Sequence, residues 1–470
     1  MSIINYNNIW KRALCLRTYI NFTGGVKLKK NIWKVIRVSV LSIILLVGGF
    51  FAYLYINQPI SIYNVKEFES IGDPDLDKEL SEEEVKEDIE NIIEIVEKTH
   101  PIFLGEVPEK YYDSKKELLS VSNSSMTVGI LQKEISKYLS SIEDGHTSLW
   151  WNGNMFLDVE WKYKDGKLIL LDKDKKLTNK IIKKIGNVDI NKIVEMIQET
   201  FPAENKIAEA RNIERYSKEI YFLESLGINN NSINLTIKNG ELEENLEVKF
   251  NEVTDDSNRD NSIYIKKIDD KTGYIRLGVC EINSYLETVI KDIKEYRNEG
   301  VNNFIIDVID NPGGNSMACI MILEALNIEP GHYGTVIRFS SLAQEQRGYL
   351  RKCGNISYKS NNEVVKNDDI NLYVLTNEVT FSSAQMLCVW VSDGELGTLV
   401  GRPSSNMPSS YGDVLTYQLK NSKLIGQVSH KKWTRPDISK DSEPILEPDI
   451  YVEYGDDILE AALKDIENKK

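Results

Sequence analysis

The pattern that begins at Ile263 constrains the fold most. Near-continuous apolar strands ("TGYIRLGV", "NNFIIDVID", "NLYVLTN", "LGTLVG") alternate there with helical stretches ("EINSYLETVIKDIKEYRNEG", "SMACIMILEALN", "SSAQMLCVWVSDG"). A strand that is apolar at successive positions must be covered on both faces, which a parallel sheet with flanking helices achieves. The spacing predicts an α/β core with a largely parallel sheet.

A second feature divides the chain. "VSVLSIILLVGGFFAYLYI", Val38 to Ile56, runs without a charge. At about 1.5 Å per residue it spans about 28 Å, the thickness of a bilayer's hydrocarbon core. Lys27, Lys29, Lys30, Lys34 and Arg37 precede it. The positive-inside rule predicts a cytoplasmic N-terminus, one membrane crossing and an extracellular body. No A-x-A cleavage site follows the run, so an uncleaved anchor is favoured over a signal peptide. The expected layout is a cytoplasmic tail over 1–34, an anchor over 35–57 and an acidic stalk over 58–80.

Charge sharpens that division. Met1 to Ile60 holds eight Lys or Arg and no acid, so with −15 on the whole chain the remainder carries −23. An acidic body without basic stripes argues against nucleic acid as a partner. Cys15, Cys280, Cys319, Cys353 and Cys388 show no CxxC spacing and mostly sit in apolar runs, reading as buried free thiols. The four histidines form no HExxH or His/Cys cluster, which argues against a zinc site.

Between anchor and core lie two further segments. "SEEEVKEDIENIIEIVEK" (Ser81 to Lys98) has apolar residues at helical spacing and a capping box of Ser81 with Glu84, and Pro101 stops it. A second helix is expected over about Thr127 to Ser141. These define an N-terminal helical subdomain, 81–152. Short alternating strands with helices over 153–258 predict a small α+β module. Asn229-Asn230-Asn231 marks a loop within it, and Thr254 to Ser262 is a polar break. The α/β core is 259–470.

Three stretches carry candidate chemistry. "IIDVIDNPGGN" ends a buried strand in a glycine turn, where bare backbone N–H groups can hold an anion. The plainer reading is a turn that needs positive φ. "LTNEVTFSSAQM" places Ser382 or Ser383 at a helix N-terminus, as an exposed hydroxyl or as an ordinary N-cap. "EDGHTSL" offers His146, the usual base for a serine nucleophile, or a solvent-exposed turn histidine.

Together these stretches resemble the tail-specific, or C-terminal-processing, serine peptidase family, in the branch with tricorn-core and retinoid-binding-protein-like members. The resemblance runs from about Ser81 to the C-terminus. "DGHTSL" is similar to the family's DGHT element, "DVIDNPGGN" to its D-x-R-x-N-x-G-G loop, "NEVTFSSAQ" to its N-x-x-S-A-S-A-S-E stretch and "PILEPDIYV" to its terminal G-V-x-P-D-x-x-V element. The His100-Pro101 pair fits the branch's helical N-terminal part. The resemblance implies a ClpP/crotonase-like α/β core, a mixed sheet with flanking helices, and a PDZ-like module over 153–258. It implies Ser382 as nucleophile, His146 as base, and an oxyanion hole from Gly313 or Gly314 with the amide of Ser383. Glu443, or Asp441, would be the acid. The substrate implied is a peptide or protein, with no metal or cofactor.

The chain departs from the pattern in places. Ile309 stands where the family has Arg, and Gly145 where the tricorn-like pattern has Ser. No lysine lies near Met407, which removes a Ser–Lys dyad. The module lacks the usual G-S-P-A element. Two other readings follow: a non-catalytic relative that binds peptides or apolar ligands, and an esterase, the latter weakened by the missing G-x-S-x-G elbow.

Overall fold

A computed structural model describes residues 30–151, 153–228, 230–252 and 260–469. Most of the expected tail, Cys15, Asn229 and residues 254–259 of the polar break lie outside the described residues. The chain forms two units, divided after Ile60.

The first unit holds one helix, Lys30–Asn57. Its segment Ile36–Asn57 has a mean hydropathy of 2.2 over an 18-residue window with none of that window buried, long and apolar enough to cross a membrane or to act as a signal sequence.

The second unit contains three larger sheets. The core sheet has six strands in spatial order Ile263–Asp269, Thr272–Leu277, Asn303–Asp307, Asn371–Thr376, Thr398–Gly401 and Ile450–Tyr451. The first pair is antiparallel and the other four pairings are parallel, so the sheet is mixed. Helices Ser284–Asn298, Ser316–Ala325 and Ser383–Asp393 bury one face with Phe304, Ile306 and Val374. Helix Ile458–Asn468 covers the other, where Ile305, Tyr373 and Leu375 point. Double coverage explains the near-continuous apolar strands.

A five-stranded antiparallel sheet is the part that the sequence pattern did not announce. Its strands are Asn355–Tyr358, Gly334–Arg338, Ile425–Thr434 and Ser410–Gln418, with Ser148–Leu149 added to Ile425–Thr434. The N-terminal helices pack on it. Glu82–Thr99 starts at the expected capping box, and Val128–Ser140 starts at Thr127. Their apolar faces share one cluster with Ile337, Leu415 and Val428. Residues 61–71 run along the same region: the Ile62 N–H donates to Gly348 O at 2.9 Å and the Ile71 N–H to Gln418 Oε1 at 2.7 Å.

The α+β module has its own seven-stranded sheet between Met155 and Glu252 and its own apolar cluster around Trp161, Ile193 and Phe222. A buried charge cluster ties it to the core. Lys162 of the module bonds Glu214 at 2.9 Å and also Glu378, which Arg402 holds from the other side at 2.9 Å. Burial opposes the Glu378 charge, but Lys162 and Arg402 overcome it and hold the carboxyl down at about 2.

Cys280, Cys319 and Cys388 are buried thiols. Cys353 is exposed, against expectation, because it sits at a surface bend before Gly354 rather than in an apolar run.

Candidate active site

Two loops leave the same edge of the core sheet. Strands Asn303–Asp307 and Asn371–Thr376 are parallel neighbours with Asp307 opposite Leu375, so the segments after them emerge side by side. Side chains lock the loops together. Asn377 Nδ2 donates to Asp310 Oδ1 at 2.7 Å, Thr380 Oγ1 to Val308 O at 2.8 Å, and the Phe381 N–H to Asn311 O at 2.9 Å.

The two serines have different fates. Ser382 stands before helix Ser383–Asp393 at φ 52°, ψ −123°, and its side chain makes no capping bond, so it is not an ordinary N-cap. That backbone conformation costs about 1–3 kcal/mol in a non-glycine residue and persists only where its surroundings enforce it. Here the Ser382 N–H is pinned on Asn406 Oδ1 at 2.8 Å. Ser383 instead spends its hydroxyl on Gly314 O at 2.7 Å.

The glycines also separate. Gly313 has φ +101°, and a Cβ there would lie 2.6 Å from Ser382 Cβ. Its N–H donates to Asn311 Oδ1 at 2.8 Å. The N–H of Gly314 meets no acceptor among the described residues, and that of Ser383 opens a helix whose first-turn donors have no helical acceptor. Two backbone donors therefore remain near Ser382. Ile309, in place of Arg, keeps its loop through Arg276 of the neighbouring strand, which bonds Ile309 O at 2.8 Å and Asp307 at 3.1 Å.

His146 follows helix Val128–Ser140 and is anchored by the short strand Ser148–Leu149. It is buried, not a solvent-exposed turn residue, and packs on Phe381 with ring centroids 4.6 Å apart. Asp144 organises its loop. One Asp144 oxygen accepts the His146 N–H at 2.9 Å. The other accepts Thr147 Oγ1 and Ser429 Oγ at 2.6 Å each and lies 3.0 Å from His100 Nε2. Burial opposes the Asp144 charge, but His100 and His146 hold the carboxyl well below the usual range.

Glu204, from the module, is the second acid. It accepts the Gly145 N–H at 3.0 Å, Asn406 Nδ2 at 2.6 Å and the Met407 N–H at 2.8 Å. His146 Nδ1 lies 3.7 Å from both Asp144 Oδ1 and Glu204 Oε1. Burial lowers the imidazole's pKa, but the two carboxylates overcome it and raise it to about 9. A Cβ at Gly145 would sit 3.0 Å from Glu204 Oε1, so this carboxylate fills the side where the tricorn-like pattern has its serine. Asp144, His146 and Glu204 offer ligand atoms within 4.8 Å of one another, a spacing that a cation could bridge.

A cavity of about 430 Å³ collects His146, Gly314, Ser382 and Ser383 together with Met386, Tyr411, Lys431 and Trp433. Both ring nitrogens of His146 lack a hydrogen-bond partner among the described residues, so the imidazole is not bonded to Ser382. Such contacts tighten in many enzymes only when substrate binds. Lys431 Nζ is bonded to Asp413 at 2.5 Å.

Glu443 is placed elsewhere. It bonds Arg435 at 2.9 Å, half exposed. Arg435 is fully buried and draws on Asp393 and Glu443 to balance its charge. Asp441 accepts Ser409 Oγ at 2.5 Å. The carboxylates at His146 are Asp144 and Glu204. Asp144 was legible in "EDGHTSL" only as a turn residue, and nothing in the local sequence marks Glu204.

Residues 271–452 match the family model of peptidase family S41. A carboxyl-terminal-processing protease of Picosynechococcus sp. is 26% identical over 234 residues, covering 46% of this chain and 51% of that protein. The match thus spans about half the length of that curated relative. Mature CPAF superposes on the fold with a TM-score of 0.56 at 12% identity, over 83% of this chain and 96% of that one. Its complex with lactacystin gives 0.55 at 11% identity, over 83% and 97%. The S41 stretch holds Ser382 and Gly314. His146 and Glu204 lie outside it, on segments N-terminal to residue 271.

Proposed function

We propose that the chain is a serine peptidase that hydrolyses peptide bonds by acyl transfer. The carrying observation is Ser382, held at positive φ in a cavity that also contains His146 and the free Gly314 amide. Ser382 Oγ attacks the peptide carbonyl while His146 Nε2 takes its proton. The amides of Gly314 and Ser383 hold the oxyanion, each donor being worth about 3–4 kcal/mol of barrier. Asp144 and Glu204 orient the ring and stabilise the imidazolium. His146 then protonates the leaving amine, and water releases the acyl group. No step calls on a metal or cofactor.

The finer features belong to the same reading. The helix Lys30–Asn57 anchors the enzyme, with its basic flank cytoplasmic and the catalytic part outside the cell. The module is a counterpart of the PDZ-type domain, a reading supported by strand Leu177–Ile185, the turn at Gly186 and helix Ile190–Thr200 in succession. The ClpP/crotonase description of the core and the layout of tail, anchor, stalk, helical subdomain, module and core are part of this proposal.

Fluorophosphonate labelling read by mass spectrometry tests it. The label is expected on Ser382, absent in Ser382→Ala and His146→Ala, and retained in Ser383→Ala. A folded wild type that takes no label favours the ligand-binding relative.

The pH profile is a second expectation. A base must be neutral, and His146 holds its proton up to about 9. We expect kcat/KM to rise with pH through a limb near 9, and Glu204→Gln to move that limb to lower pH. The folded value lies above the ordinary 6.5, so this group's contribution to stability is full below about 6.5 and is lost as pH rises through about 9. A limb unmoved by Glu204→Gln would remove Glu204 from the charge balance.

A further inference from the structure

We propose that the cavity next to the Ser382 cleft is a subsite for a lysine or arginine side chain of the bound peptide. The inference rests on the peptidase reading and names its substrate class. The cavity, about 500 Å³, shares Ser316, Met386 and Trp433 with the cleft, so a chain lying across Ser382 can drop a side chain into it. Its walls are apolar, with Ile320, Val364 and Trp390 joining Met386 and Trp433.

The rim has the opposite character. Glu324, Glu329 and Glu363 are exposed, line the cavity and form no ion pair among the described residues. No Lys or Arg lines the cavity. Lys431, a cation of the neighbouring cleft, is bound to Asp413 and lies with its Nζ 5.4 Å from the centre of the Trp433 ring. An apolar floor under three carboxylates without an ion pair suits a long aliphatic stem that ends in a cation. A second observation points to a bound chain. The indole N–H of Trp390 is buried in the wall and finds no acceptor among the described residues. An unmade bond on a buried donor is costly, and a peptide carbonyl would satisfy it.

The test uses the full-length Ser382→Ala protein in detergent, which binds without cleaving. Fluorescent peptides of one length carry Lys, Arg, Gln or norleucine at each position in turn, and affinity is read by anisotropy. We expect Lys and Arg to bind about tenfold tighter than Gln or norleucine at one position, since three exposed carboxylates acting together on one cation contribute about 1.4 kcal/mol. The preference should collapse in Glu324→Gln/Glu329→Gln/Glu363→Gln, whose exposed positions leave the fold intact by circular dichroism. Equal affinities, no binding of any peptide, or a preference that survives the triple substitution would overturn the inference. Fluorophosphonate labelling of wild type without a basic preference sinks this proposal alone. Basic preference without labelling sinks the peptidase reading and leaves a binding site.

Discussion

Gly313→Ala is expected to cut kcat/KM by about a thousandfold or more and to lower stability by about 1–3 kcal/mol. Two effects act at once. The φ of +101° is one that an L side chain rarely adopts, and the new Cβ would meet Ser382 Cβ at 2.6 Å, Phe381 O at 2.9 Å and Ser383 N at 3.0 Å. Two of those three atoms are backbone, so neither can swing away. Relief must come from moving the turn that carries Ser382 or the loop that carries the Gly314 amide. Gly166→Ala separates the causes. Gly166 also has positive φ, +72°, but a Cβ there meets nothing within 4 Å. That variant should lose about 1 kcal/mol and no activity. Denaturant midpoints and peptide hydrolysis read both. Full activity in Gly313→Ala would mean that the two loops do not form the reactive centre.

Asp144→Ala should be more damaging still, at about 3–5 kcal/mol of stability together with near-complete loss of activity. The carboxylate is fully buried and receives Thr147, Ser429 and the His146 N–H while facing His100. Its removal leaves these donors without their acceptor and frees the loop that carries His146. Glu443→Ala is the informative contrast. Glu443 is half exposed and bonds only one edge of Arg435, so its loss should cost at most about 1 kcal/mol and leave kcat/KM within a few-fold. A Glu443→Ala enzyme as impaired as Asp144→Ala would restore Glu443 as the catalytic acid.

Why did the sequence show the core strands but neither carboxylate beside His146 as an acid? The core strands announced themselves because burial on both faces leaves a local mark, an apolar run. Ser382 and Gly314 could be named as candidates because turn chemistry is local as well. Strands Ser410–Gln418 and Ile425–Thr434 gave no such mark. They mix buried and half-exposed positions without clean alternation, since one face meets the N-terminal helices and the other lines the cleft. Glu204 is the extreme case. It belongs to a module with its own core and reaches His146 through the docking of that module, where Gly145, Asn406 and Met407 donate to its carboxylate. Resemblance to a family led to an acid near the C-terminus for the same reason: the motif came with an expected partner, while Arg435, an arginine that must be neutralised in the interior, had already claimed it.

The strand that anchors the base has a consequence for a chain made from its N-terminus onward. Ser148–Leu149 pairs with Gly426 and Gln427, and Ser429 closes over Asp144. The segment around His146 is synthesised early, yet its seat is completed by residues made some 280 positions later. Until that last hairpin emerges, Ser382 can exist without an ordered base opposite it. On the proposed mechanism, a growing chain therefore carries no working hydrolytic centre until nearly all of it has been made.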